Sequence, residues 1–389
     1  MKLAKFLLLF LPYIMFIAGY SQQQAISFDD KKWAIEGQGY IKEGFKGKNS
    51  LYLQNGIAWL KDEKILNGII EFDMYQFQRT SFSGVIFRMT DSKNYEDIYL
   101  RSQQSGYPDA FQYTPVFNGN AGWQLYHDQF DAVNDGFVSW RPKGILNGYN
   151  AVAFYPFDRW MHVKLVVKGT SAELFLDNNE EPAAFIKELK MGEHAGSIGV
   201  KSGVGAAYFS NFSFIKTDNP PFKNKQVKED IRLAAGYITS WLISSAFSEK
   251  IITGKDQLDS KFQNSLTWQK LPAEKEGFVN ISRLSLISDS ANTVLAKLVV
   301  TSDKDQVKKL SIGYSDRIKV FCNGIALYEG NTGYRTRDFR YLGTMGFFDA
   351  VYIPLKKGEN IILCAVSETF GGWGLMGKFE NIDGITIKE

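Results

Sequence analysis

The sequence predicts an all-β chain of two β-sandwich domains in tandem behind a signal peptide, and three observations carry that prediction. Short runs with an apolar residue at every second position recur between turn residues from Phe28 to Phe214, and again from Trp241 onward. Amphipathic helical periodicity is scarce. A charged stretch with two adjacent prolines separates the two sets of runs. The chain has 389 residues with 44% hydrophobic content, enough apolar mass for two cores of ordinary size.

Residues 1–21 read as a secretory signal peptide. Lys2 and Lys5 precede an apolar run from Phe6 to Ile17, and the small residues Ala18, Gly19 and Ser21 follow it, which places cleavage near Ser21. A transmembrane anchor needs about 20 apolar residues to cross a ~30 Å hydrocarbon core. This run is shorter and contains Pro12. No cysteine lies near the cleavage site to accept a lipid. The expectation is a secreted or periplasmic protein with no membrane anchor once the signal is removed.

The first sandwich is expected over residues 22–216. Its strand runs are GIIEFDMYQF, SGVIFRMT, YEDIYLRSQQ, WMHVKLVVKG, SAELFLDNN and GSIGVKSG, each bounded by Gly, Asn, Asp or Pro. Residues 217–228, TDNPPFKNKQVK, form the expected linker, because Pro220 and Pro221 cannot donate ladder hydrogen bonds and the charged residues offer no core face. The second sandwich follows over 229–389. KEDIRLAAGY opens it as one short helix, and LAKLVVTSD, KKLSIGY, RIKVFCNG, DAVYIPL and NIILCAVSE are its strands. Asn323-Gly324 falls between two strand runs, where a type I′ hairpin requires positive φ at both central residues. Because the linker interrupts both hydrophobic patterns, the two halves are expected to fold independently.

Several classes of chemistry are excluded. Losing Lys2 and Lys5 takes the formal charge from +3 to +1, and the remaining charges are mixed in sign along the chain, so no nucleic-acid partner is expected. His127, His162 and His194 are the only histidines, too few for metal clusters or His-based triads. No G-x-S-x-G elbow, glycine-rich phosphate loop or metal-ligand spacing occurs, and Asp128, Asp131 and Asp135 have the wrong rhythm for an EF-hand loop. No cofactor is expected. Cys322 and Cys364 lie in apolar strand runs, as two buried thiols or a single bridge.

The binding candidate lies between Phe87 and Gln129, a stretch dense in aromatic and polar residues together. Along YEDIYLRSQQ, alternation puts Tyr95, Asp97, Tyr99, Arg101 and Gln103 on one face and Glu96, Ile98 and Leu100 on the other. Arg88, Gln112, Trp123 and His127 lie on neighbouring runs. Sugar recognition needs amide or bidentate hydrogen bonds to hydroxyl pairs and flat aromatic surfaces for the apolar face of the ring. Arg88, Asp97, Tyr99, Arg101, Gln103, Gln112 and Trp123 are therefore the candidate ligand-binding set. The alternative is an ordinary solvated sheet face with Trp123 plugging the core. A second candidate is the loop carrying Tyr334, Arg335, Arg337, Asp338, Arg340 and Tyr341, with Trp373 among Gly371, Gly372 and Gly374 as a presented platform. There, Arg–Asp pairs that only tie the loop down are the alternative.

The stretch WMHVKLVVKGTSAELFLDN followed by GSIGVKSGVGAAYFSNFSF resembles the closing strands of a concanavalin A-like, laminin-G-type jelly roll, over about residues 28 to 216. It is also similar to 3-keto-disaccharide hydrolase-like domains and to family 16 glycoside hydrolases. Gly313, Asp316, Val320, Asn323, Gly324, Leu355, Gly358 and Asn360 resemble the turn pattern of a galactose-binding-like jelly roll. These resemblances imply a carbohydrate-binding accessory protein whose partner is a glycan or oligosaccharide. The runner-up is a glycoside hydrolase of the 3-keto-disaccharide hydrolase type working through carboxylates such as Glu71, Asp73, Glu96 or Asp97, and a protein-interaction or adhesion module is the third class. The laminin-G-type resemblance implies a structural calcium ion held by loop carbonyls. Family 16 enzymes use Glu-x-Asp followed by a second Glu. Glu71-Phe72-Asp73 matches the first part, but Tyr75 and Gln76 stand where the second Glu belongs.

Overall fold

The structure is a computed structural model that describes residues 23–107, 110–127, 150–151, 154, 156–177, 179–224, 232–337 and 343–388. The expected signal peptide, the aspartates at 128, 131 and 135, and Asp338, Arg340 and Tyr341 lie outside the described residues.

The chain is all-β, as its alternation predicts. In the first sandwich every strand pair is antiparallel, and two long strands organise it. Lys48–Ile65 and Gly196–Lys216 pair with each other along most of their lengths, with a register break between Ser202 and Ala206. Before the break Gly196–Lys216 pairs with Phe82–Asp91, and after it with Gly68–Gln76. The sheet therefore divides into two layers at that point. Gly205 sits in the break at φ +103°, and a Cβ there would lie 2.3 Å from the Thr80 carbonyl oxygen, so only glycine fits the bend.

One layer continues through Trp160–Lys168, Ser171–Leu176 and Ala184–Ile186, and the other through Asn94–Arg101, Phe111–Phe117 and Asn120–Ala121. Ile70, Phe72 and Met74 from the first layer and Val85, Phe87, Ile98 and Leu100 from the second fill the space between them. These are the period-2 apolar positions of their strands.

The second sandwich packs a seven-stranded sheet on a four-stranded one. Trp241, Val294, Val300, Val320 and Cys364 meet Leu310, Ile312, Ile353 and Leu375 in its core. Asn323 and Gly324 turn the expected hairpin with φ of +49° and +85°. Cys322 and Cys364 are free and buried, and burial pushes the Cys364 thiol up to about 12. KEDIRLAAGY is not helical in its described part. Gly236 has positive φ with the Phe379 carbonyl against it, and Tyr237 bridges to Lys378 instead. The helix of this region lies later, at Ser260–Ser265, capped by the Asp259 side chain accepting from Lys261 N at 2.8 Å.

No described strand ladder passes from one sandwich to the other, yet the two share a packed junction. Leu125 and Tyr126 of the first half join Phe278, Met345 and Met376 of the second in one apolar cluster. Around it, Tyr126 Oη donates to Glu274 at 2.7 Å, Asn118 and Asn120 donate to Ser282 at 2.8 and 2.7 Å, and Ser315 Oγ donates to Gln124 at 3.0 Å. These contacts join the two halves across the junction. The polar linker hides the association because the residues that make it come from loops far from the linker in sequence.

Candidate functional site

The Asn94–Arg101 strand lies between Phe82–Asp91 and Phe111–Phe117, and its alternation sorts the side chains as the sequence predicts. Ile98 and Leu100 enter the core. Glu96 points the same way, where it accepts from Tyr113 Oη at 2.6 Å and from Met191 N at 2.9 Å, and burial pushes its carboxyl up against those bonds. On the opposite face, Tyr99 pairs across to Gln112 and Asp97 to Thr114. Tyr99 Oη donates to Gln112 Oε1 at 2.8 Å.

Lys201 joins this face from the bent Gly196–Lys216 strand. It pairs with Gly84, which pairs in turn with Tyr99. A Cβ on Gly84 would fall 2.1 Å from the Ile98 carbonyl oxygen, so the row has a bare position there. Through that gap the Lys201 ammonium donates to Asp97 Oδ2. Asp97 has no exposed surface, and its Oδ1 has no hydrogen-bond partner among the described residues. Burial pushes the Asp97 carboxyl up, with Lys201 opposing. Burial also acts to lower the Lys201 ammonium, but the Asp97 carboxylate outweighs it and holds the lysine charged. One end of the face is apolar, where Tyr95, Ile57, Ile86 and Val116 pack with Trp59 at its margin.

Three members of the candidate set are placed elsewhere. Arg88 is 1% exposed and donates to the backbone carbonyls of Gly192 at 2.6 Å, Leu66 at 3.3 Å and Gly169, so it staples three loops. Gln103 leaves the face because the strand ends at Arg101 and Ser102–Gln104 turn as a 3₁₀ helix. Trp123 is half-buried but plugs no core; its ring meets Tyr334 and Phe370 of the second sandwich. Arg101 stays at the end of the row, its guanidinium 5.4 Å from the Phe82 ring centroid. The face as a whole is closed over rather than solvated, since Asp97, Tyr99 and Gln112 are all buried.

The second-domain candidates are structural. Trp373 is 0% exposed and donates Nε1 to the Val366 carbonyl at 3.1 Å, so it belongs to the core and is no platform. Its flanking glycines serve close approach instead. A Cβ on Gly374 would lie 2.4 Å from Leu125, and one on Gly371 2.4 Å from Gln124. Arg337 donates to Asp349 at 2.5 Å, Tyr314 Oη at 3.0 Å and the Asn331 carbonyl at 3.0 Å, tying its loop down.

The Glu71–Asp73 pair lies on the outer face of the other layer, away from Asp97. Asp73 accepts from His162 Nδ1 at 3.0 Å, Lys48 at 2.5 Å and Asn211 at 2.6 Å. Burial acts to raise its carboxyl, but these donors prevail and hold it down at about 2. Such a carboxylate is ionised at any working pH and supplies no general acid. Glu71 accepts from Gln23 at 3.0 Å and lies 4.0 Å from His162 Nε2. Glu96 and Asp97 leave opposite faces of their strand and cannot act on one bond together. Among the described residues, no group of three or more His, Cys, Asp or Glu is placed to hold a metal ion.

Sequence reasoning missed Lys201. Its one trace is a lysine at the centre of the otherwise small and apolar run GSIGVKSG.

Fold and site together define a β-sandwich chain with a polar row on the outer face of one sheet layer. No family model and no curated protein matches it. Solved structures do. A carbohydrate-binding module from Bacillus subtilis is 13% identical over 48% of this chain and 96% of its own, with a TM-score of 0.33. A Bacillus subtilis protein of unknown function with a galectin-like fold is 13% identical over 48% of this chain and 90% of its own, with a TM-score of 0.32. A Bacillus licheniformis β-glucanase is 12% identical over 51% of this chain and 99% of its own, with a TM-score of 0.31. At these values the functional reading rests on the site itself.

Proposed function

We propose that the protein is an exported glycan-binding accessory protein that holds an oligosaccharide on the Asp97–Lys201 face of its first sandwich. The observation that supports this is Asp97 Oδ1, a fully buried carboxylate oxygen without a hydrogen-bond partner among the described residues. An unpaired buried acceptor costs roughly 1–3 kcal/mol, which a ligand hydroxyl donated to it would recover. Lys201 covers this oxygen's neighbour and keeps 17% of its own side-chain exposure, so its long flexible stem is the movable part of the cover. Tyr99, Gln112 and Arg101 extend the row with hydroxyl, amide and guanidinium groups, and the half-buried Trp59 supplies flat apolar surface at its margin. Acceptors, donors and ring faces in one row suit a polyhydroxylated ring.

Capture of the purified protein on an array of defined oligosaccharides, followed by an assay for released sugar on every positive, tests this reading. Capture without release is the expected result. Absence of capture from every glycan would overturn it, and release of reducing ends would replace it with a hydrolase.

A further inference from the structure

We propose that the ligand site continues across the domain junction onto an aromatic triad, Trp123, Tyr334 and Phe370, which takes the apolar face of a further sugar ring of the same oligosaccharide. This inference rests on the glycan-binding reading of the Asp97 face and extends it to the second sandwich.

The three rings come from both halves of the chain. Trp123 lies 6.2 Å from Tyr334 and 6.3 Å from Phe370 between ring centroids, and Tyr334 lies 5.9 Å from Phe370. The interplanar angles are 84°, 45° and 66°, so the rings meet edge to face or tilted rather than stacked. Tyr334 is 39% exposed and Phe370 49%. An aromatic cluster serving only to glue two domains would be buried, as Leu125, Tyr126 and Phe278 are at the same junction.

The triad is continuous with the polar row. Gln112, which accepts from Tyr99 at 2.8 Å, donates its Nε2 to the Trp123 carbonyl at 3.2 Å. From Tyr99 to the indole backbone there is thus one intervening side chain, and a ligand longer than the row meets the triad next.

The spacing of the rings is fixed from behind. Gln124, directly after Trp123, donates its backbone N–H to the carbonyl of Gly371, directly after Phe370, at 2.7 Å. The Gln124 carbonyl accepts from Met345 N at 2.9 Å and its side chain from Ser315 Oγ at 3.0 Å. Gly371, at φ +106°, has no room for a Cβ beside Gln124. The backbone of one sandwich is therefore clamped to that of the other one residue from Trp123 and one residue from Phe370. Pre-set ring geometry lowers the ordering cost of binding. Arg335 lays its guanidinium over one face of the Tyr334 ring, 4.9 Å from the centroid. The occupant that fits an exposed, fixed set of ring faces running on from a hydroxyl-satisfying row is the next pyranose or furanose unit of one chain.

The test uses the full chain with gluco-, xylo-, manno- and fructo-oligosaccharides, each as disaccharide and hexasaccharide, by isothermal titration. Wild type should bind one hexasaccharide more tightly than its disaccharide. Phe370→Ala and Tyr334→Ala should each weaken the hexasaccharide about tenfold, leave the disaccharide unchanged, and leave the thermal midpoint within a degree or two. Phe370→Tyr should restore binding and Phe370→Leu should not, separating a ring face from mere apolar bulk. Equal hexasaccharide affinity in wild type and Phe370→Ala, with Asp97→Asn still abolishing binding, would overturn the junction subsite and leave the Asp97 reading standing. No binding by wild type would overturn both.

Discussion

Lys201 reaches the buried carboxylate of Asp97 across the bare position that Gly84 leaves between them. Removing one partner of such a pair leaves an uncompensated buried charge, which typically costs about 3–5 kcal/mol, whereas removing both is far milder. Lys201→Met should therefore destabilise the chain by about 3 kcal/mol, and Lys201→Met with Asp97→Asn by much less. Urea unfolding of the two variants measures this. A single variant as stable as wild type would mean that the pair is not desolvated.

Arg101 stands at the end of the row, and a charge-assisted hydrogen bond to a ligand is worth about 1.5–3 kcal/mol. Arg101→Ala should weaken glycan binding about tenfold or more while the protein stays folded. Trp373→Ala gives the contrast. Its ring is wholly buried, so the expected loss is about 3–5 kcal/mol of stability. A stable Trp373→Ala with weakened binding would return Trp373 to the list of ligand residues.

The Asp73–His162 pair sets a pH window. Asp73 is held at about 2 against an ordinary 3.8, so its contribution is present above about pH 4 and is lost as pH falls toward 2. His162 is raised above its ordinary 6.5, chiefly by its bond to Asp73, so its contribution is complete below 6.5 and is lost as pH rises through the raised value. Both are in force between about pH 4 and 6.5. Asp73→Asn should cost about 2 kcal/mol near pH 5 and almost nothing near pH 2. Denaturation of wild type and variant across that range tests the sign, and a pH-independent difference would refute it.

The junction predicts joint unfolding. Calorimetry of the full chain should show one transition, and Gly371→Ala, strained at φ +106° and crowded against Gln124, should lower its midpoint or split it in two. Two well-separated transitions in wild type would restore the expectation of independent halves.

Export is expected from the charged start and short apolar run of residues 1–21. N-terminal sequencing of the mature protein should begin close to Ser21, and recovery of Lys2 would refute cleavage.

By itself the sequence determined the all-β class, the inward faces of the strand runs it marked and the Asn-Gly turn, because these depend on neighbours one or two residues apart. Alternation separated Glu96 from Asp97 correctly, and Asn323-Gly324 announced its hairpin. What covers each face was decided only by tertiary structure. Lys201 lies 104 residues from Asp97, and Ser315 lies 191 from Gln124, so no local pattern couples them. Glycines around a tryptophan read the same whether they expose the ring or admit another chain. At Trp373 they admit Leu125 and Gln124, and the ring is sealed in. Arg88 and Arg101 are equally polar letters, yet one is consumed by three backbone carbonyls and the other stands at the rim of the face. Burial is a sum over contacts distant in sequence, so a polar residue becomes a staple, an ion-pair partner or a ligand arm only when the layers close.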